Sequence, residues 1–363
     1  MIYLDYQATT PLAPEARDAM LPWLGGPEST GFGNPHSAHR MGRMAAAAVE
    51  LAREQVAALL PPGGRVIFTG SATEAINMAL RGSARGDDTR PVGVSAIEHA
   101  AVLDTARALP GPVAMIPVDS EGLADPDCVL PADTRLVAVM QVNNEIGTIQ
   151  PCAAFRERAR AMGALFLCDA VQAAGRMPVA EADLIALSAH KLHGPKGIGA
   201  LWIREGVGIA PLITGGGQEG GLRSGTLSPA LCAGFGAAAA LAQARMDEDA
   251  AHVEALWKRA GELFSGWHVN GSAVHRWRGN LNIRREGLDV ARLMSDLRQI
   301  AFSAGSACAS GSGRPSHVLK AIGLDNAQAR GSIRLGFGRY TERKDLEAAA
   351  AAIKAAANEQ ERI

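Results

Sequence analysis

Apolar and β-branched residues gather in short, continuous runs through the N-terminal half of the chain. These are "RVIFTG" (65–70), "PVGVSA" (91–96), "LVAVMQV" (136–142), "ALFLCDA" (164–170), "LIALSA" (184–189) and "GALWI" (199–203). Runs of this length without polar alternation predict strands buried on both faces, as in a parallel sheet. Between them, segments with helical spacing fall at 74–82, 99–109 and 151–163. Strands alternating with helices predict an α/β fold with a mostly parallel central sheet flanked by helices. In such sheets ligands bind beyond the carboxyl ends of the strands. The residues just after each run are therefore where chemistry is expected.

From Ser228 to about Gly266 the pattern changes to one long Ala-rich helix. Beyond it, shorter strand candidates ("NLNIRR", "SIRLGFG") and a closing helix over 342–358 predict a smaller α+β unit. A length of 363 residues also favours two domains over one.

Composition narrows the function classes. A net charge of −1 gives no basic face for nucleic acid. No apolar run approaches a membrane span, and the start "MIYLDYQATTPLAP" has no basic stretch followed by an apolar one, so no secretory signal is read. The five cysteines are odd in number and widely spaced, with no zinc-like or thioredoxin-like pair. Free thiols in a reducing cytoplasm are the simplest expectation, with Cys128, Cys152, Cys168 and Cys232 filling core volume. Cys308 differs, because "AFSAGSACASGSGRPS" (301–316) surrounds it with Ala, Gly and Ser.

The strand ends carry the polar residues. After 65–70 comes "TGSATEAIN", where Ser71 and Glu74 fit a capping box. A capped helix start presents backbone N–H groups suited to a phosphate. Successive runs then end in His99, in Asn143 and Asn144, in Asp169 and Gln172, and in Ser188, His190, Lys191, His193 and Lys196. An acid, an imidazole, amides, a hydroxyl and a lysine beside an anion site suit pyridoxal 5'-phosphate. That cofactor requires a lysine for its Schiff base, a carboxylate for its ring nitrogen and a helix N-terminus for its phosphate. His190 and His193 lack a Cys or carboxylate partner close by, so no metal is expected.

The motifs "YLDYQATTP" (3–11), "FGNPHSAHRMG" (32–42), "FTGSATEAIN" (68–77), "EHAAVLDT" (98–105), "VNNEIGTIQP" (142–151), "CDAVQAAG" (168–175), "SAHKLHGPKGIGAL" (188–201), "GGGQEGGLRSGT" (215–226), "GSACASG" (305–311) and "SIRLGFGRYT" (332–341) follow one another in order. Together they resemble the cysteine desulfurases, group I type, in the class V aminotransferase family of fold type I pyridoxal-phosphate enzymes. The resemblance implies a large cofactor-binding domain over 13–247 with a mostly parallel, seven-stranded-type sheet. It also implies a small α+β domain made of 1–12 and 248–363. Lys191 would be the Schiff-base lysine, Asp169 the partner of the ring nitrogen and His99 the stacking acid/base. Gln172 would face the ring hydroxyl, and Ala72, Thr73, Ser188 and His190 would hold the phosphate. Thr226 would reach the phosphate of the neighbouring subunit, which implies a homodimer. Asn144 and Arg334 would hold the substrate carboxylate, and Lys196 has no such place.

The implied activity is removal of sulfur from L-cysteine, giving L-alanine and a persulfide on Cys308. The sulfur would then go to an acceptor protein for iron–sulfur cluster assembly or RNA thiolation. The chain stops soon after its last predicted helix, where group members that dock an iron–sulfur scaffold often carry a longer segment. That points to another acceptor or a specialised pathway. A selenocysteine lyase and, further off, a plain class V aminotransferase are the alternatives; a non-catalytic sulfur carrier conflicts with the joint presence of Lys191, Asp169, His99 and Cys308. Gly305, Gly311 and Gly313 are expected to make 303–314 mobile enough to carry Cys308 between substrate and acceptor.

Overall fold

A computed structural model describes residues 1–84, 88–305 and 316–360. Its centre is a seven-stranded sheet in the order Gly64–Thr69, Gly199–Arg204, Leu184–Ser188, Leu165–Asp169, Leu136–Ala138, Val92–Ser95, Val113–Ile116. Gly199–Arg204 runs antiparallel to both neighbours and every other pairing is parallel. Alternate side chains point to opposite faces of a strand. Ile185 and Leu187 thus join one apolar cluster with Phe68, Trp202 and Phe235, while Leu184 and Ala186 join another with Ile67, Ile76 and Leu201. Both faces are covered, which is why these strands read as uninterrupted apolar runs.

The predicted strands all form, with two differences. The run 136–142 is a regular strand only to Ala138; beyond it the N–H groups of Val139 and Gln141 still donate to the carbonyls of Leu167 and Asp169, and the Met140 N–H donates to the Glu98 carboxylate at 2.5 Å. Val113–Ile116 was not predicted: it is a sheet-edge strand, partly exposed and preceded and followed by Pro112 and Pro117.

The long helix spans Pro229–Leu263, with Ser228 capping it and Pro229 at its first position, a combination that suits a helix start. A second sheet, in the order Ser303–Ala304, Ser332–Gly336, Asn280–Arg284, His268–Val269, is antiparallel throughout. The closing helix is Arg343–Gln360. The N-terminal strand Ile2–Tyr3 pairs with Ile300–Ala301, which starts residues 5–10 on their path toward the first sheet. No helix among the described residues is long and apolar enough to cross a membrane.

Cys308 lies outside the described residues, as does most of the segment expected to be mobile. Its first residues correct that expectation. Ser303 and Ala304 pair with Arg334 and Ile333, and the Gly305 N–H donates to the Ser332 carbonyl at 2.7 Å. A Cβ on Gly305 would lie 2.5 Å from the Ser332 Cβ. Glycine serves there for close approach rather than for freedom of movement.

Gly199 has a similar duty at the functional rim. A Cβ on it would sit 2.5 Å from the Ser71 carbonyl carbon, 2.6 Å from the Leu187 oxygen and 2.7 Å from the Ala72 nitrogen. All three are backbone atoms and cannot swing aside. Gly199→Ala is expected to cost about 1–3 kcal/mol through overpacking. The loss would be read as a lower urea midpoint with an unchanged slope.

Candidate active site

The parallel strands all end at one rim, and a cavity of about 210 Å³ opens there. Its lining includes Ala72, Thr73, His99, Asn144, Asp169, Gln172, Ser188, His190, Lys191 and Arg334. Of the residues given a role at the site by the resemblance and described by the structure, only Thr226 lies outside this lining, on an exposed part of the glycine-rich loop. Lys196 is exposed, and Asn143 is a brace rather than a cavity group. The Asn143 Oδ1 accepts from the N–H groups of Glu145 and Ile146, and its Nδ2 donates to the Ile97 carbonyl.

Each group is held by local structure. Ser71 caps the helix Ala72–Gly82, its Oγ accepting the Glu74 N–H at 3.2 Å. The reciprocal half of the expected capping box is displaced by one residue, because the Glu74 carboxylate accepts from Gly70 at 2.6 Å. The N–H groups of Ala72 and Thr73 begin the helix and have no carbonyl a turn earlier within it, so they point outward as donors for an anion. His99 caps the helix Ala100–Arg107, its Nδ1 accepting the Ala101 N–H at 3.1 Å. In a neutral ring that places the proton on Nε2.

Asp169 closes its strand, with Oδ1 accepting the Val171 N–H at 2.9 Å. Burial pushes its carboxyl above the usual carboxylate range, and His99 leads the groups that pull it back. A cationic ring nitrogen beside it would supply the missing counter-charge. The Lys191 Nζ donates to the carbonyls of Gln7 at 2.5 Å and Ala8 at 2.9 Å. Burial, then the cations Arg176 and Arg334, push its amine down to about 8, against the pull of Asp169 and Asp5. His190 is pushed down to about 4, mainly by burial and then by Lys191 and Lys196. It is therefore neutral at physiological pH, and its Nδ1 lies 3.1 Å from the Thr9 Oγ1. His193 has its own partner, the Pro11 carbonyl at 2.9 Å.

Arg334 is buried at 2% exposure, with Nη2 on Asp5 Oδ1 at 2.8 Å and Nη1 on the Asn144 carbonyl at 3.1 Å. It is an ion pair, but an interior one that faces the cavity, not a surface one.

These donors fit pyridoxal phosphate. Free helix-start N–H groups, a neutral imidazole and a serine would suit a phosphate. A buried carboxyl without an ion-pair partner would suit the ring nitrogen, and a lysine with a lowered pKa would suit the aldehyde.

The whole chain has relatives. The Aminotransferase class-V family profile matches residues 2–349. The cysteine desulfurase IscS of Rickettsia bellii is 40% identical over 366 residues, covering 95% of this chain and 88% of that protein. A mitochondrial cysteine desulfurase of Arthroderma benhamiae is 42% identical over 374 residues, covering 97% and 74%. Among solved structures, a NifS-like protein superposes with a TM-score of 0.89 at 33% identity over all of both chains. SspA in complex with cysteine gives a TM-score of 0.79 at 31% identity, over 94% of this chain and all of that one. The chain belongs to the class V aminotransferase family, among its cysteine desulfurases. Members of this family depend on pyridoxal phosphate.

Three groups of this cysteine desulfurase's site were not assigned from the sequence. Gln7 and Ala8 form one wall; the Gln7 carbonyl accepts from Lys191 and from Gln172 Nε2. Asp5 orients Arg334, and the Ser303 hydroxyl donates to the same carboxylate oxygen at 2.8 Å. Arg176 donates to the Lys191 carbonyl at 2.9 Å and to the Gln172 Oε1 at 2.5 Å. The motif "YLDYQATTP" was the signal for the first two, but no local pattern gave its residues a task.

Proposed function

We propose that this cysteine desulfurase binds L-cysteine with its carboxylate at Arg334 and Asn144, receives its sulfur on Cys308 and hands it to a thiol of an acceptor protein, working as a cytoplasmic homodimer. The observation that carries the reading is the meeting, in one cavity, of the Lys191 amine, the buried Asp169 carboxyl, the helix start at Ala72 and the interior Arg334. When bound, the cofactor supplies an electron-accepting ring that stabilises negative charge at the substrate Cα. Ala72, Thr73, Ser188 and His190 would hold its phosphate, with Thr226 of the partner subunit completing the set. Asp169 would hold its ring nitrogen and Gln172 its ring hydroxyl.

Lys191 as free amine takes the Cα proton of the substrate. The Cys308 thiolate attacks the substrate sulfur; an S–S bond forms and the C–S bond breaks, its electron pair staying with the carbon fragment. His99, which lines the cavity, gives a proton to the Cβ of that fragment, Lys191 returns the one it took to the Cα, and the product leaves as L-alanine. The four other cysteines are buried and unpaired, in keeping with a reducing compartment.

Incubation with L-cysteine and dithiothreitol tests this directly. Sulfide and alanine are expected in one-to-one yield with no keto acid present. Alanine appearing only with added keto acid would make the chain an aminotransferase, and a strong preference for selenocysteine would make it a lyase of that substrate.

A further inference from the structure

The glycine-rich loop 215–226 carries two charged residues that the proposed reaction does not use, Glu219 and Arg223. Both tie the loop to the corner where the helix Ala72–Gly82 begins. The Arg223 Nε donates to Glu74 Oε1 at 2.7 Å, and Nη2 lies 3.4 Å from Oε2. The two side chains are 18% and 16% exposed, so solvent screens the pair only partly. Glu219 sits in the left-handed region at φ 52°, with its side chain 2% exposed. Its carboxylate accepts two bonds from Arg53, at 2.7 and 2.8 Å, and one from the Phe68 N–H at 2.7 Å. Phe68 belongs to the edge strand that leads into that same helix. A non-glycine residue in this backbone region persists where its surroundings hold it in place.

Glu74 stands in the first turn of the helix, with Oε2 on the Gly70 N–H. A carboxylate is favoured there by the helix dipole, but so is a phosphate, and the two negative groups share one helix end. Ala72 and Thr73, which flank the cavity, precede Glu74 directly. Arg223 is the cation paired with Glu74 at this end.

We propose that Arg223 is a positioning residue for the cofactor phosphate. It neutralises Glu74 at the helix end that receives the phosphate, and it ties to that corner the loop whose Thr226 would reach across to the phosphate of the neighbouring subunit. This rests on the reading above that the Ala72–Thr73 end takes the phosphate.

The test is equilibrium binding of pyridoxal phosphate to the cofactor-free enzyme, followed by visible absorbance, with inorganic phosphate as a competing probe. Arg223→Met is expected to weaken both ligands about tenfold, the scale of a charge at a helix terminus. Glu74→Gln combined with Arg223→Met is expected to return both affinities to within about threefold of the parent, since the uncompensated charge is gone. Arg223→Lys keeps the charge and is expected to bind nearly as the parent does; it also keeps the test open if the methionine variant unfolds. Parent-like binding by Arg223→Met, or a double variant as weak as the single, would overturn the proposal. A parent enzyme that takes up no pyridoxal phosphate would instead overturn the cofactor reading itself.

Discussion

Replacing Cys308 with serine is expected to stop sulfur release from L-cysteine while leaving the cofactor bound. The reason is chemical: attack on sulfur needs a thiolate, and a serine hydroxyl stays protonated at any working pH. A loss of at least about a thousandfold in sulfide formation follows from removing the nucleophile. The described cysteines offer no substitute. None of Cys128, Cys152, Cys168 and Cys232 lines the cavity, and all are buried. Burial pushes Cys232 up to about 12, and Cys168 is raised by its hydrogen bond with Cys152 and then by burial. Intact mass after a brief exposure to L-cysteine gives the second measurement. The parent chain should gain one sulfur atom that alkylation maps to Cys308, and the serine variant should gain none. A serine variant that still makes sulfide and alanine at the parent rate would remove Cys308 from the reaction.

How far the sequence leads is clear from this contrast. Strands buried on both faces announce themselves, because nothing polar interrupts them; Leu184–Ser188 is buried at all five positions. Residues that end such strands are equally readable, since fold geometry sends them to one rim. Asp169, Ser188 and Lys191 needed no long-range contact to be found. Asp5 and Gln7 did. The Arg334–Asp5 ion pair joins residues 329 positions apart, and Gln7 Nε2 reaches the Gly279 carbonyl across 272. Contacts of that kind leave no periodic trace, so the N-terminal wall of the cavity was visible only as a motif. Gly305 shows the converse failure. Its composition suggested mobility, but its ladder bond to Ser332 is a tertiary fact.

Lys191→Ala should reduce turnover of L-cysteine by about a thousandfold or more, the loss expected when the residue that both anchors the cofactor and moves the Cα proton is removed. Cofactor binding should persist at reduced affinity, because Ala72, Thr73, Asp169, Ser188 and His190 are untouched by the change. The pH dependence gives Lys191 a signature of its own. Only the neutral amine accepts a proton, and Lys191 is pushed down to about 8. Below that pH the protonated form dominates and the reactive fraction falls tenfold per pH unit; above it the fraction levels off. In the cofactor-free chain, acetylation of Lys191 followed by peptide mapping should therefore rise to a midpoint near 8, against about 10.4 for an ordinary lysine. The groups facing the amine are Arg176 and Arg334, which favour the neutral form, and Asp169 and Asp5, which oppose it. Arg176→Met takes away a neighbouring cation and should move the midpoint up, while Asp5→Asn takes away an anion and should move it down. A Lys191 that titrates with the ordinary lysines would mean that its amine is not set by this cavity, and the proton-transfer step would have to be given to another group.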